Sequence, residues 1–299
     1  ARPKGVALIQ SGSGGTRFGR VDLVYDTQTK RVLPERTRTF AGLDMFWDHC
    51  APYARAFCTA ENGQVSYEGV KVESNAKIER LVAEARSQVD VVARRKLGTA
   101  DGVIKIDRVN ESPLANALCD GTRAVAGVDI SFLNTGGLRA PLQAGDVTYE
   151  DLYKVMPFNN HGVVVGPMGA SRVLSLLERS IKTCGAYGAL MQSGLRVAYE
   201  RDCSGGQMDS KAELTHVETL SGEVLLDRTS GVRATDSRVF QVVTLDFLAV
   251  GGSGYVEFGG TPLIQDLGIM RERLVESYLA HPVEFRTAVD GRWAESARR

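Results

Sequence analysis

The sequence predicts an α+β fold: mixed β-sheets with packed helices, preceded by a long connector helix and a β-hairpin. Three observations predict it. Apolar residues recur at helical spacing in several stretches that carry start and stop signals. Short apolar runs bounded by glycine-rich turns lie between them and read as strands. The two kinds of stretch do not alternate regularly, so mixed sheets with helices packed on them are expected.

Residues 6–10 read as a buried strand, residues 11–15 as a glycine-rich turn, and Val21, Leu23 and Tyr25 as a second strand that ends in a turn over 26–30. The glycine turn lacks the Lys-Ser/Thr ending of a phosphate loop and reads as a plain hairpin turn. Residues 40–72 show no clear period, but Phe46, Trp47, Tyr53 and Phe57 point to packing. Ser74-Asn75 then offers an N-cap. Ile78, Leu81, Val82, Ala85, Val89, Val92 and Leu97 follow at helical spacing, with Gly98 as the stop. This helix is a natural connector between two bodies, and its apolar stripe is expected in a core.

Residues 103–106 read as a strand. Ser112 caps a helix with Pro113 at its first position, where a missing N–H costs nothing, and Gly127 ends it. Residues 128–133 are an apolar strand. Thr148 caps a short helix carrying Leu152 and Val155, broken at Pro157. Residues 163–165 are a strand, and Val173, Leu174, Leu177 and Ile181 mark another helix. From 195 to 248 the pattern is mostly strands and turns, and residues 267–280 are helical up to Pro282.

Composition narrows the function. Lys plus Arg and Asp plus Glu are both 36, so the basic excess of a nucleic-acid binder is missing. No apolar run reaches the length of a membrane span. Ala1-Arg2-Pro3-Lys4 leads straight into an apolar run without a leader pattern, which suggests a fragment or processed chain. Five cysteines match no zinc spacing. Cys50 with Cys58, and Cys184 with Cys203, are possible bridges, while Cys119 reads as a buried thiol. Two bridges would suit an oxidising compartment, and five reduced thiols in the cytosol also fit.

His49, His161, His216 and His281 lie in no metal-ligand cluster, and no nucleophile elbow is present. A binding constellation is present instead. Asn134-Thr135-Gly136-Gly137-Leu138-Arg139 directly follows an apolar strand. Glycines there let backbone N–H groups approach a ligand, and Arg139 can grip phosphate or carboxylate; a tight turn with a solvated Arg is the other reading. Pro157-Phe158-Asn159-Asn160 offers an aromatic face beside amides that can read a ring edge, or else a core Phe beside a loop. Gly251-Gly252-Ser253-Gly254-Tyr255 puts Tyr255 on a loop where it can face Phe158 across a slot, or simply pack.

These segments together resemble the 5′-nucleotidase / UDP-sugar hydrolase family. Asn110-Glu111-Ser112-Pro113-Leu114-Ala115-Asn116 is similar to its E-S-x-L-G-N helix start, and Asn134 to Arg139 to its N-x-G-G-[IL]-R motif. The G-x-I-T-x-x-D-L segment is matched from Gly145 to Leu152, and V-x-P-F-x-N from Val155 to Asn160. Gln192-Ser193-Gly194 and the run from Phe247 to Tyr255 complete the order.

The resemblance implies residues 1–40 as the end of a metallophosphatase domain and 41–98 as a linker and connector helix. Residues 99–299 would form the C-terminal substrate-binding domain. In such enzymes two divalent metal ions in an N-terminal domain activate the attacking water, and that domain would be missing from this chain. The resemblance makes Phe158 and Tyr255 the jaws around a base, with Asn160 on its edge. Arg108 and Arg139 hold ligand oxygens, and Asn134, Gly136, Gly137 and Gly194 line the pocket. The acidic ribose contact of the family has no clear match near Thr261, between Glu257 and Asp266. The implied ligand is a nucleotide or nucleoside, and the implied location is periplasmic, secreted or cell-surface. UDP-sugar, cyclic-nucleotide and thiosulfate-ester hydrolysis share this architecture, and a stand-alone nucleotide-binding module is the non-catalytic alternative.

Overall fold

We describe a computed structural model over residues 8–12, 17–44, 58–61, 64–184, 188–204 and 211–296. The chain divides into two compact units, Ala1–Arg86 and Ser87–Arg299.

In the first unit, β1 (Arg17–Asp22) pairs antiparallel with β4 (Arg38–Asp44), and the two-residue strands β2 (Tyr25–Asp26) and β3 (Arg31–Val32) make a hairpin around the expected turn. Asp26 fixes that turn by accepting from the N–H groups of Gln28 and Thr29. β5 (Cys58–Glu61), β6 (Gln64–Tyr67) and β7 (Val70–Lys71) form a meander. So part of the stretch that showed no period in sequence is sheet. Arg20 ties the unit together through Asp22 and Glu68, and its guanidinium lies 5.5 Å from the Phe40 ring centroid. The expected strand at 6–10 is not formed where it is described: Leu8 to Gln10 is irregular and Leu8 is exposed. Phe46, Trp47, Tyr53 and Phe57, and the Cys50–Cys58 pairing, lie outside the described residues.

α1 (Ala76–Ala93) runs across the division between the units. Asn75 caps it, its Oδ1 accepting from the N–H groups of Lys77 and Ile78. The helix ends at Ala93, and Gly98 is not its stop. Leu97 and Gly98 belong to the next strand, where a Cβ on Gly98 would sit 2.0 Å from the Val283 carbonyl oxygen. The expected core stripe is also not buried: Ile78, Leu81, Val82, Val89 and Val92 are all exposed.

The second unit continues with β8 (Lys96–Ala100), α2 (Pro113–Ala126), β9 (Ile130–Asn134), β10 (Gly145–Thr148), α3 (Tyr149–Val155), β11 (His161–Gly169) and α4 (Ala170–Lys182). Then come β12 (Leu190–Ser193), β13 (Leu195–Asp202), β14 (Lys211–Thr219), β15 (Val224–Asp227), β16 (Val232–Arg233) and β17 (Val239–Leu245). The chain closes with α5 (Asp246–Ala249), β18 (Leu263–Ile269), α6 (Met270–Ala280), β19 (Val283–Phe285) and β20 (Trp293–Ser296). Helix signals in this unit work as read. Ser112 Oγ accepts from the Ala115 N–H, Gly127 closes α2 in the left-handed region, and Thr148 with Asp151 forms a capping box on α3. The expected strand at 103–106 reduces to one bridge, Ile104 to Leu142, and the apolar start at Leu267 belongs to β18 rather than to α6.

The centre is a five-stranded mixed sheet in the order β12-β9-β17-β11-β18. Side chains alternate across it. Ile130, Phe132, Leu190 and Val242 join one core with α4 and the sheet β16-β15-β14-β13-β20. Leu133, Met191, Val243 and Leu245 join the other with α2, α6 and the small sheet β10-β8-β19. Coverage on both faces explains why β9 reads as an uninterrupted run, Ile-Ser-Phe-Leu-Asn, with all five residues buried. Mixed sheets with packed helices are therefore the architecture.

Cys184 and Cys203 are bridged across a sequence separation of 19 residues, and Cys119 is a buried thiol. Cross-linking a loop of that length restricts the unfolded chain. The double variant C184S/C203S is expected to lose about 3 kcal/mol of stability in chemical denaturation. An unchanged denaturation midpoint would mean the bridge adds nothing.

Candidate functional site

The sheet places its polar side chains where β9 and β17 end. β9 delivers Asn134 at its C-terminus, followed by a helical turn over Thr135–Gly137. β17 runs parallel to β9, so its end delivers α5 and Phe247 on the same side. The loop between α3 and β11 adds Phe158 and Asn160. Asn134, Gly136, Gly137, Phe158, Asn160, Phe247 and Ser253 enclose a cavity of about 370 Å³. Its floor continues into a narrower space between Leu138, Met156, Leu245 and Arg271.

Six of the residues expected from sequence stand at or beside this cavity. Asn134, Gly136, Gly137, Phe158 and Asn160 line it. Arg139 sits at its rim: the Arg139 guanidinium carbon is 5.8 Å from the Phe158 ring centroid, and its backbone N–H donates to the Val155 carbonyl at 2.9 Å. Among the described residues, Arg139 is in no ion pair. Arg108 is drawn to the same turn, since its Nη2 donates to the Leu138 carbonyl at 3.2 Å.

Tyr255 is not one of the jaws. It is fully buried in the core that includes Phe132 and Phe258. Its hydroxyl accepts from the Leu190 N–H at 3.1 Å and lies 3.4 Å from the Gly188 carbonyl, and burial pushes the phenol up to about 12. The second ring that lines the cavity is Phe247, 44% exposed, beside Phe158 at 48% in the same lining. Among the described residues no other ring stacks on either, while the Arg139 guanidinium lies over Phe158 and the Gly252 backbone lies against Phe247.

Gly194 is also misplaced by the sequence reading. It follows Ser193, which pairs with Ser131, whereas Asn134 pairs with Leu190 at the other end of the same ladder. Three residues of strand separate the two ends, roughly 10 Å. Gly194 is instead needed for packing: its φ is +110°, and a Cβ there would meet the Asp129 carbonyl oxygen at 2.3 Å. Near Thr261, where the sequence offers no clear match for the family's acidic residue, the side chains are engaged with other partners and do not line the cavity. Thr261 accepts from Arg172, Glu257 from Arg179, and Asp266 is paired with His161. Ser253 lines the cavity in their place.

The glycine-rich loop explains how Phe247 is held. A Cβ on Gly252 would come within 2.3 Å of the Phe247 carbonyl oxygen and 2.6 Å of its ring, so only glycine lets the ring lie against this backbone. Ser253 then adopts a left-handed conformation, φ 54°, uncommon for a residue with a side chain. The Asn134 amide nitrogen donates to the Ser253 hydroxyl at 3.2 Å and holds it over the cavity. The Asn134 side-chain oxygen, Oδ1, is buried with no protein partner, and the residue is only 6% exposed. A buried acceptor left open at a cavity wall is costly unless a ligand or water donates to it. A sequence signal for Phe247 exists, since it stands in the same Phe247-to-Tyr255 motif; the motif holds two aromatic residues, and the ring at the cavity is the first of them.

Among the described residues no group of three His, Cys, Asp or Glu side chains converges to hold a metal ion. The cavity wall offers amides, a hydroxyl and aromatic faces, with guanidinium groups at its rim. Amides, hydroxyls, aromatic faces and guanidinium groups are the kinds of group that can contact a flat polar guest with an anionic end. No described helix is long and apolar enough to cross a membrane.

Residues 91–259 match the family model of the 5′-nucleotidase C-terminal domain. The chain is 22% identical over 285 residues to Protein UshA of Salmonella pullorum, a match covering 93% of this chain and 46% of that protein. It is 23% identical over 250 residues to a 5′-nucleotidase of Vibrio cholerae, covering 75% of this chain and 41% of the relative. In fold it is similar to the crystal structure of a 5′-nucleotidase precursor from Thermus thermophilus, with a TM-score of 0.60, 20% identity, and coverage of 93% and 49% of the two chains. The family model and the fold together define a domain of the nucleotidase and phosphoesterase kind. The chain belongs to the 5′-nucleotidase C-terminal-domain family. It spans less than half the length of the two curated relatives.

Beyond the cavity, Glu111 ends the segment that carries Arg108. It accepts from the Asn116 amide at 2.6 Å and from the Asp290 N–H at 3.3 Å. Burial, and the Asp290 carboxylate beside it, lift the Glu111 carboxyl above its ordinary value. Asp290 is held down at about 2, chiefly by Arg292. A raised carboxyl binds protons more tightly in the folded state, so its contribution is present in acid and is lost as pH rises through the raised value. E111Q keeps both accepted hydrogen bonds without the charge. Its Tm is expected to exceed the parent's at neutral pH, with the gap closing in acid. A gap that widened in acid would reverse the assignment.

A second pair of variants tests the exchange of aromatic roles. Y255A should lose about 3–5 kcal/mol of stability from the cavity it leaves. F247A should leave the unfolding free energy within about 0.5 kcal/mol of the parent, as exposed substitutions do. Equal destabilisation by both would place Phe247 in the core.

Proposed function

We propose that the unit Ser87–Arg299 is the nucleotide-gripping part of a 5′-nucleotidase-type phosphohydrolase that converts nucleoside phosphates to nucleoside and phosphate. The observation that carries this reading is the pair of half-exposed rings, Phe158 and Phe247, on the wall of one cavity. A planar base between them gains about 1–3 kcal/mol per stacked face. Asn160 and Asn134 supply amide groups for polar edges, and Ser253 supplies a hydroxyl for the sugar. Arg139 and Arg108 stand where an anionic group would leave the cavity, and guanidinium forks suit phosphate oxygens.

Hydrolysis in this proposal needs two divalent ions on a domain outside this chain; when bound they lower the pKa of the attacking water and polarise the phosphoryl oxygen. In this proposal the role of this chain is to bind and orient the nucleotide. The chain alone is proposed to be inactive. A periplasmic, secreted or cell-surface location is supported by the Cys184–Cys203 bridge and by similarity, 26% over 228 residues, to a cell wall protein of Listeria monocytogenes. The relatives carry several phosphoesterase names, including a trifunctional nucleotide phosphoesterase of Bacillus subtilis, so the proposal stops at the class of nucleoside phosphates.

Calorimetric titration of the chain with AMP tests it. F158A and F247A are each expected to weaken binding by about 1–3 kcal/mol, whereas Y255F, altered only in the core, should bind as the parent does. Equal affinity of F158A, F247A and the parent would remove the base from this cavity.

A further inference from the structure

We propose that Arg271 is a positioning residue that sets the orientation of Phe158 and Asn160; this rests on the reading of the cavity as a base clamp. The loop that carries these two residues has no regular secondary structure between the end of α3 and the start of β11. A loop of that kind does not hold a ring in one pose unless its backbone is tied down. The ties come from the first turn of α6. Arg271 Nη1 donates to the Met156 carbonyl at 2.8 Å and to the Phe158 carbonyl at 3.4 Å, and Nη2 donates to Asn159 Oδ1 at 3.0 Å. One residue earlier, the Met270 N–H donates to the Asn160 carbonyl at 3.0 Å. Met156, Phe158, Asn159 and Asn160 are therefore all held by two adjacent residues of one helix.

Arg271 is itself fixed. Its side chain is only 4% exposed, and Nε donates to Glu272 Oε1 at 2.9 Å. Glu272 Oε1 in turn accepts from the Tyr149 hydroxyl at 3.0 Å, which anchors the pair to α3. The guanidinium carbon lies 4.4 Å from the Tyr153 ring centroid. The planar fork thus spans three acceptors on the loop while its other edge is locked, a geometry that a lysine ammonium cannot reproduce. Arg271 also lines the narrow floor of the cavity together with Phe158 and Asn160. A buried guanidinium with this many partners on one binding loop has a structural use, and the groups it fixes are those that meet the base.

The test separates base recognition from phosphate recognition and from folding. The 299-residue chain is titrated with AMP and with ribose 5-phosphate, and the ratio of the two affinities reports what the base contributes. R271Q and R271K are expected to lower that ratio about tenfold, by loss of one ordered stacking contact, while ribose 5-phosphate binds as before. N159A removes one tie from the exposed side of the loop and is expected to lower the ratio in the same direction without threatening the fold. F158A is the control for the clamp itself. A collapse of the ratio in F158A, with R271K and N159A at the parent value, would overturn the positioning role and leave the clamp standing. An unchanged ratio in F158A would sink the clamp and this inference with it. Equal losses for AMP and ribose 5-phosphate in the folded Arg271 and Asn159 variants would show a merely structural role, and that too overturns the proposal.

Discussion

The site depends on the double coverage of the central sheet. With apolar cores on both faces, β9 and β17 have no wall on which to display polar chemistry, and their C-terminal ends are where it can emerge. Asn134 is the last residue of a wholly buried strand and is itself almost buried. Its side-chain Nδ2 is committed to Ser253, and its side-chain Oδ1 is left open at the cavity wall. An open buried acceptor of this kind costs about 1–3 kcal/mol in the folded protein, a cost that a donor from a guest or a water offsets.

The loop after β17 shows how one short segment divides two aromatic tasks. Tyr255 anchors it, with the phenol in the core and its hydroxyl on the backbone around Gly188 and Leu190. Phe247 is the presented ring, pressed against a backbone that only Gly252 allows to come so close. Ser253 between them takes a left-handed conformation that costs of order 1–2 kcal/mol for a residue with a side chain. The anchor at Tyr255 and the hydrogen bond from Asn134 are what hold it there. Strain that sits on a cavity wall, fixed from both sides, is the pattern seen where geometry serves binding.

Local chemistry was legible in the sequence and tertiary choice was not. Ser112, Pro113, Gly127 and Thr148 carry their meaning within a few residues, and the helix boundaries they predict are the ones observed. The Asn134 to Arg139 turn and the Phe158–Asn160 segment stand out as motifs, but along the chain a tight turn with a solvated Arg and a packed Phe also fit. The choice between Phe247 and Tyr255 turns on which ring the core of β9, α4 and β12 takes in, and nothing within the loop itself decides that. Gly194 misleads for a related reason: its glycine is required by the Asp129 carbonyl across the ladder, a contact invisible along the chain. Gly98 looks like a helix stop because the strand that crowds it, at Val283, is distant in sequence. Arg271 carries no signal at all, since an arginine near a helix start reads as a surface residue until its acceptors are known.

The energetics of the exposed rings argue for what kind of guest the cavity awaits. A phenylalanine presents roughly 200 Å² when fully open, so rings about half exposed leave on the order of 100 Å² each in water. At about 25 cal/mol per Å², covering one such face contributes about 2 kcal/mol, in line with what base stacking supplies. A small anion at Arg139 would gain none of this, because it would touch neither ring. A bulky aliphatic guest would cover the rings but leave the open Asn134 Oδ1 without a donor, at a cost that offsets part of the gain. Under the proposed function, a flat heterocycle with polar edges, joined through a hydroxylated linker to an anion, would meet the rings, the amides and the guanidinium groups at once. Each of these groups is weak alone, and the rigid sheet ends that hold them at fixed separations turn them into one recognition surface.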